Sequence, residues 1–124
     1  MKAIHTYGAP TAIGPYSQAT FKKGFLFISG QIGIDPATGQ LGKSFEAQAD
    51  QIFTSLSNIL NAANMSFRNV VKVTIFIEDL MNFESLNKIY ARNFSEPYPA
   101  RETVQVSRLP LNAALEISLI ACDL

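Results

Sequence analysis

The sequence predicts an α+β fold in which two helices cover one face of a mixed sheet of about six strands, in the order β-β-β-α-β-α-β-β. Three observations support this prediction. Residues 45–63 carry a long apolar stripe at helical spacing, residues 70–78 are apolar on both strand faces, and two further strand-like segments follow near the end. The chain has 124 residues, so we expect residues 1–124 to form a single domain.

The first third of the chain predicts strands and turns. Lys2–Thr6 is expected to form a short edge strand. Residues 16–21 and 25–32 are expected to form a hairpin around the turn at 22–24. Residues 33–43 contain Asp-Pro and Thr-Gly turn signals and predict a turn-rich connection.

Two helices are predicted, each from a buried stripe. Ser44 can cap the first helix at about residues 45–63, whose apolar positions are Phe45, Ala49, Ile52, Phe53, Leu56, Ile59, Leu60 and Ala63. The second helix, at about residues 83–94, is expected to bury Phe83, Leu86, Ile89, Tyr90 and Phe94. Pro97 and Pro99 lie just beyond it, where proline stops a helix.

The remaining predicted strands indicate that a site containing both Arg101 and Glu116 would be shared between subunits. Residues 70–78 are expected to form a central strand, and 101–108 and 114–121 to close the chain around a five-residue loop. If these last two strands pair, Glu116 lies opposite Val106, about 15–17 Å from Arg101 at about 3.3 Å per residue. A neighbouring subunit must then complete any site that uses both residues. Two helices also leave one face of the sheet uncovered, which predicts a homo-oligomer.

Composition narrows the possible functions. Lys plus Arg and Asp plus Glu number ten each, so no net charge attracts nucleic acid or an anionic membrane. A single histidine, His5, and a single cysteine, Cys122, provide no zinc cluster, and His5 is a poor candidate for a catalytic triad. With one cysteine, no apparent signal peptide and no long apolar run, we expect a cytoplasmic protein that needs no metal or cofactor.

Arg101 and Glu116 are the main candidates for chemistry. Alternation places Arg101 on one strand face with Thr103, Gln105 and Ser107. This is either a site or a solvated outer face that carries a surface cation. Glu116 is the only charged residue in the apolar strand 114–121. It is either a carboxylate that handles water and protons, a member of a structural ion pair, or a residue at a water-facing edge.

Four further residues are weaker candidates. Tyr16 opens a strand after Gly14-Pro15 and by itself favours a core position. Ser29 and Gly30 end the next strand, where glycine allows either a close approach to a ligand or a simple β-bulge. Asn87 lies on the second helix, where a surface position is the simpler interpretation.

Several segments together resemble the RidA (YjgF-type) family. They are Ala12-Ile13-Gly14-Pro15-Tyr16-Ser17-Gln18-Ala19, Ser29-Gly30-Gln31-Ile32, Pro99-Ala100-Arg101, Val104-x-Val106-x-Arg108-Leu109-Pro110 and Leu115-Glu116-Ile117. The resemblance implies a chorismate-mutase-like (ferredoxin-like) fold and a homotrimer with clefts between subunits. It also implies hydrolysis of 2-imino or enamino acids, such as 2-iminobutanoate and 2-iminopropanoate, to 2-oxo acids and ammonia.

The resemblance assigns roles to the candidates. Arg101 corresponds to the arginine that binds the substrate carboxylate, and Glu116 to the glutamate that handles water. Tyr16 corresponds to a catalytic-pocket tyrosine. Ser29, Gly30, Asn87 and Thr103 correspond to substrate-binding positions.

Two residues depart from the family pattern. Thr103 stands where many members have cysteine, and Glu102 where a small residue is usual. Alternation places Glu102 on the strand face opposite Arg101. These departures favour the main alternative, a non-catalytic regulator that binds a small ligand. A ribonuclease or translation inhibitor is a second alternative, which the neutral charge disfavours. A chaperone that binds exposed apolar surface is a third.

Overall fold

A computed structural model describes residues 1–123 of the chain. The regular structure of these residues consists of two α-helices, eight strands and three short 3-10 helices. The strands are β1 (Lys2–Ile4), β2 (Ala19–Lys22), β3 (Phe25–Gln31), β4 (Ile34–Asp35), β5 (Gln40–Leu41), β6 (Val70–Ile77), β7 (Ala100–Gln105) and β8 (Leu115–Cys122). The helices are α1 (Phe45–Ala62) and α2 (Phe83–Asn93). Six strands form one sheet in the order β1-β2-β3-β8-β6-β7, and β4 pairs with β5 in the turn-rich connection. The predicted α+β fold is confirmed.

The first helix begins and packs as its sequence predicts. The Ser44 side chain accepts a hydrogen bond from the Ala47 amide at 3.1 Å, which satisfies one free amide of the first turn. The side chains that α1 buries against the sheet are Phe45, Gln48, Ala49, Ile52, Phe53, Ser55, Leu56, Ile59 and Leu60. Burial of this stripe fixes α1 on one face of the sheet.

The inner strands β6 and β8 alternate between two environments. In β6 the residues Val73, Ile75 and Ile77 are fully buried on the helix side, while Thr74 and Phe76 are only half-buried on the other side. Leu115 and Ile117 of β8 are likewise buried. No second layer covers the opposite face among residues 1–123, where Phe25, Phe27 and Val104 are 42%, 47% and 44% exposed. The uncovered apolar face predicted from the sequence is therefore present.

The last two strands do not pair, so the condition from which their register was estimated does not hold. Strand β6 lies between them, paired in parallel with β7 and antiparallel with β8. The segment from β6 through α2 to β7 is a β-α-β crossover, the usual connection between neighbouring parallel strands. The five-residue loop suggested a hairpin, but the segment from Val106 to Ala114 crosses β6 instead. This new register changes where Arg101 and Glu116 lie.

Candidate functional site

Arg101 lies on the helix-covered side of the edge strand β7. Its register partner in β6 is Val73, which is fully buried beneath the helices. Arg101 and Thr103 are both half-buried, whereas Gln105 is exposed. The interpretation of this strand face as a solvated outer surface is therefore wrong for the two residues nearest the start of the strand.

Aromatic rings hold the Arg101 guanidinium. Its central carbon, Cζ, lies 4.7 Å from the ring centroid of Tyr90 and 5.6 Å from that of Phe83. Both distances are within the range of a favourable cation–π contact. Phe83 is 39% exposed, so the prediction that α2 buries this ring is wrong. Phe83 instead packs against the arginine at the start of the helix.

Arg101 and Asn87 line the same cavity. It has a volume of about 290 Å³, and its other lining residues are Tyr90, Ala91, Tyr98 and Pro99. No carboxylate among residues 1–123 forms an ion pair with Arg101. A guanidinium beside an apolar cavity and without an anionic partner is a ready site for a carboxylate ligand.

Thr103 lies two residues after Arg101 on the same face of β7. Its hydroxyl is buried and has no hydrogen-bond partner within the described part of the chain. Buried hydroxyls are normally paired, so the Thr103 hydroxyl is available to a group outside the described residues.

Glu116 lies on the uncovered face of the sheet, in register with Phe76 of β6. It is half-buried, and none of the ion pairs within residues 1–123 includes it. The structural ion-pair interpretation is therefore excluded within one described chain. Burial raises the pKa of the Glu116 carboxyl above its ordinary value, which suits a group that must both take up and release protons.

Gly30 and Glu116 are in direct contact. The register between β3 and β8 shifts between Ile28 and Gln31, so Gly30 lies in a β-bulge. A Cβ atom added at Gly30 would lie 2.7 Å from both Cδ and Oε2 of Glu116. The β-bulge interpretation of Gly30 is therefore confirmed, and the missing side chain lets the carboxylate of Glu116 approach the backbone at this point.

Tyr16 and Gly30 line a second cavity of about 410 Å³. Tyr16 lies before β2, in the loop and not in the predicted strand, and its side chain is 53% exposed. The Ser29 hydroxyl donates a hydrogen bond to the Ser17 carbonyl at 2.6 Å, which ties this loop to β3. Tyr16, Ser29, Gly30 and Glu116 therefore form one cluster, separate from Arg101, Asn87 and Thr103.

Sequence reasoning missed the residue that anchors this loop. Gln18 is 3% exposed, and its side-chain Oε1 accepts from the Thr6 amide at 2.8 Å. Its Nε2 lies within hydrogen-bond distance of the carbonyls of Thr6, Ala9 and Pro10, at 3.0, 3.3 and 2.9 Å. Its position directly before β2 does not by itself identify it as an anchor. Gln18 shapes the loop that carries Tyr16.

Arg101 and Glu116 do not meet within one chain. Glu116 is in register with Phe76, and through it with Val104, which lies three residues beyond Arg101. The two residues are thus separated by two strand spacings, about 10 Å across the sheet, and by about 10 Å along it. An offset of three residues also puts them on opposite faces. The two clusters are therefore separate within one chain.

The extra carboxylate at Glu102 is neutralised away from Arg101. Its Oε1 accepts a hydrogen bond from Lys72 Nζ at 2.9 Å, on the face that carries Lys72 and Thr74. This bond holds the pKa of the Glu102 carboxyl below its ordinary value. The predicted placement on the opposite strand face is confirmed, and Glu102 leaves the Arg101 cavity free of a competing anion.

Two curated relatives align with nearly the whole chain. A RutC family protein from Aquifex aeolicus is 50% identical over 123 residues, which are 98% of each chain. A protein from Bos taurus named 2-iminobutanoate/2-iminopropanoate deaminase is 45% identical over 121 residues, which cover 97% of this chain and 88% of the relative. Among the helices within residues 1–123, none has the length and apolar character needed to cross a membrane.

Solved structures show the same fold. RidA from an Antarctic Psychrobacter bacterium superposes with a TM-score of 0.97 at 43% identity, over 99% of this chain and 100% of the other. Escherichia coli TdcF, crystallised with bound serine, superposes with a TM-score of 0.95 at 39% identity, over 100% of both chains. Residues 6–123 also match the sequence model of the family described as Endoribonuclease L-PSP. These matches establish that the chain belongs to the Endoribonuclease L-PSP family, the RidA (YjgF-type) family that its sequence motifs resemble.

Proposed function

We propose that the protein hydrolyses reactive 2-imino and enamino acids, such as 2-iminobutanoate and 2-iminopropanoate, to 2-oxo acids and ammonia. The observation that carries this proposal is Glu116, a half-buried carboxylate that packs against the Gly30 backbone and forms no ion pair within residues 1–123. The name of the bovine relative supports the same substrates.

The proposed site is shared between copies of the chain. Each copy has an anion-binding half around Arg101 and a proton-transfer half around Glu116, on opposite faces of its sheet. The uncovered apolar face offers a surface on which copies can assemble. We therefore propose a homotrimer whose inter-subunit clefts join the Arg101 cluster of one copy to the Glu116 cluster of the next.

The chemistry requires binding, a positioned water and proton transfer. The planar Arg101 guanidinium pairs with the substrate carboxylate through two parallel hydrogen bonds, while Asn87 and Thr103 offer polar groups beside it. Glu116 takes a proton from the water as the oxygen attacks the C=N carbon, and a tetrahedral carbinolamine forms. The protonated carboxyl returns this proton to the nitrogen, which completes the neutral carbinolamine. Glu116 then takes the hydroxyl proton of the carbinolamine and passes it to the amine as the C–N bond breaks, so that ammonia leaves and a 2-oxo acid remains.

The pKa of Glu116 suits this cycle. A carboxyl whose pKa is raised toward the working pH loses less energy in each proton transfer than an ordinary glutamate. An enamine enters the same path once a proton reaches its terminal carbon, which converts it to the imine. No covalent intermediate with the protein is needed, because the imine carbon is itself electrophilic.

The regulator alternative loses one of its two supports. The bond between Glu102 and Lys72 keeps the carboxylate charge on the other face of β7, where it does not compete for an anion at Arg101. Thr103 remains the only departure inside the proposed site, and its hydroxyl offers a hydrogen-bonding group where a thiol is usual. The absence of net charge continues to disfavour binding of RNA.

The test is imine hydrolysis measured directly. A threonine dehydratase generates 2-iminobutanoate in the cuvette, and its decay is followed with the wild type, with Arg101→Ala and with the control Arg108→Ala. Arg108 is an exposed cation outside both cavities. We expect the wild type and Arg108→Ala to accelerate decay equally, and Arg101→Ala to lose about 10- to 150-fold through the missing charged hydrogen bonds.

Two results would count against the proposal. A wild type no faster than buffer would remove the deaminase function and leave the regulator alternative. Equal loss in Arg101→Ala and Arg108→Ala would show that bulk positive charge, and not the Arg101 cavity, is responsible.

A further inference from the structure

We propose that Tyr90 is a positioning residue, whose ring face holds the Arg101 guanidinium in the orientation that receives the substrate carboxylate. The inference rests on the proposed function, because it concerns the same anion-binding half of the site. None of the motifs in the sequence points to Tyr90, whose position on α2 is by itself typical of a core residue.

Tyr90 is the nearer and the more buried of the two rings beside Arg101. Its centroid lies 4.7 Å from the guanidinium carbon, and its side chain is only 7% exposed. Phe83 is farther away, at 5.6 Å, and is 39% exposed. Of the two, only Tyr90 offers a fixed surface.

The Tyr90 ring is fixed by other aromatic rings. It stacks on Phe94 with centroids 4.5 Å apart, and it meets the edge of Phe53 at 6.3 Å. Phe53 belongs to α1 and Phe94 follows α2, so both helices hold the ring. An arginine side chain has several rotatable bonds. A flat, fixed ring beside it restricts the orientations that the planar guanidinium group can adopt.

The ring and not the hydroxyl is the part that acts. The Tyr90 hydroxyl is buried and has no hydrogen-bond partner within residues 1–123. It therefore anchors nothing in the described chain. Burial raises the pKa of the phenol, so Tyr90 stays neutral and meets Arg101 through the electron-rich face of its ring.

The test separates ring from hydroxyl and needs no turnover. The dissociation constant for 2-oxobutanoate, a stable carboxylate product, is measured by calorimetry for the wild type, Tyr90→Phe and Tyr90→Met. We expect Tyr90→Phe to bind within about twofold of the wild type, because phenylalanine keeps the ring face. Tyr90→Met keeps bulk but loses the face, and should weaken binding by about 3- to 30-fold.

The effects on KM and kcat, together with a double variant, distinguish a positioning role from a general structural role. In imine hydrolysis Tyr90→Met should raise KM by the same factor with kcat changed less than about threefold. In an Arg101→Ala background it should have no further effect on binding. If Tyr90→Met does not fold, the NMR resonance of the Arg101 Nε–H group in the wild type still tests the inference. This resonance is assigned by its disappearance in Arg101→Lys. It must show an upfield ring-current shift that Tyr90→Phe retains.

Three outcomes would overturn the inference. They are wild-type affinity in a folded Tyr90→Met, equal damage in Tyr90→Phe and Tyr90→Met, or an unshifted Arg101 resonance. A wild type that binds 2-oxobutanoate through the Tyr90-supported arginine but hydrolyses no imine would refute only the deaminase function.

Discussion

Replacement of Gly30 by alanine should abolish most activity without unfolding the protein. The backbone of Gly30 does not have a positive φ, so alanine can adopt it. The new methyl group, however, would lie 2.7 Å from Cδ and Oε2 of Glu116 and 3.0 Å from Cγ. The side chain of Glu116 must move to make room.

The displacement sets the size of the effect. Unstrained heavy atoms lie about 3.5–4.0 Å apart, so the carboxylate must shift by about 1 Å. Misplacement by about 1 Å of a group that positions the nucleophile costs about 100-fold in rate. The free energy of unfolding should change by less than about 1 kcal/mol. The crowded atoms belong to the flexible end of a side chain, which can move at little cost. A Gly-to-Ala change also lowers the entropy of the unfolded chain, which stabilises the fold by about 0.4–1 kcal/mol and offsets part of that cost.

A double variant isolates the cause. The values of kcat/KM for 2-iminobutanoate hydrolysis and the urea midpoint are measured for Gly30→Ala, Glu116→Ala and the pair. If the methyl group acts only by displacing the carboxylate, Gly30→Ala should have no further effect once Glu116 is alanine. Full activity in Gly30→Ala, or an equal loss in both backgrounds, would refute the reasoning.

Three further predictions concern stability. Gly33→Ala should destabilise the fold by about 1–3 kcal/mol in urea unfolding, because its Cβ would meet the Gln48 backbone, with Cα at 2.5 Å and the carbonyl oxygen at 2.6 Å. Gln18→Ala should cost about 1–3 kcal/mol in the same assay, since it leaves buried backbone groups of the N-terminal loop without partners; an unchanged midpoint would contradict this. Burial raises the pKa of Glu116 in the folded chain, so the folded state binds that proton more tightly. Relative to Glu116→Gln, the wild type should therefore lose unfolding free energy as pH rises from about 4.3 to the folded-state pKa, and then stay level; the opposite slope would argue against the assigned cause.

The fold was predictable from the sequence where the apolar pattern extends over many residues. The stripe from Phe45 to Leu60 and the doubly apolar β6 were identified correctly, because burial demands their patterns whatever the topology. The arrangement of β7 and β8 was not identified correctly, because the order of strands in a sheet depends on which strand buries the most apolar surface at the centre. β8 is buried at every second residue and enters between β3 and β6, which leaves β7 at the edge.

The site was predictable residue by residue but not as an arrangement. Motifs identified Arg101, Glu116 and Gly30, yet the hairpin from which their separation was estimated does not exist. The proposal of a second copy now rests on a different fact, that Arg101 and Glu116 lie on opposite faces of the sheet. Tyr90 and Gln18 were missed, because an aromatic residue on a helix and a glutamine before a strand signal nothing by themselves.

Complementation between two inactive variants tests the shared site most directly. Arg101→Ala and Glu116→Ala are purified separately, mixed one to one, dissociated in mild urea and reassembled. If one copy supplies Arg101 and its neighbour Glu116, about a quarter of the sites in randomly mixed oligomers regain both residues, and imine hydrolysis should return to about a quarter of the wild-type rate. If the reassembled mixture is no more active than the two variants alone, Arg101 of one copy and Glu116 of the next do not act on the same substrate, and the proposal of a shared site is wrong.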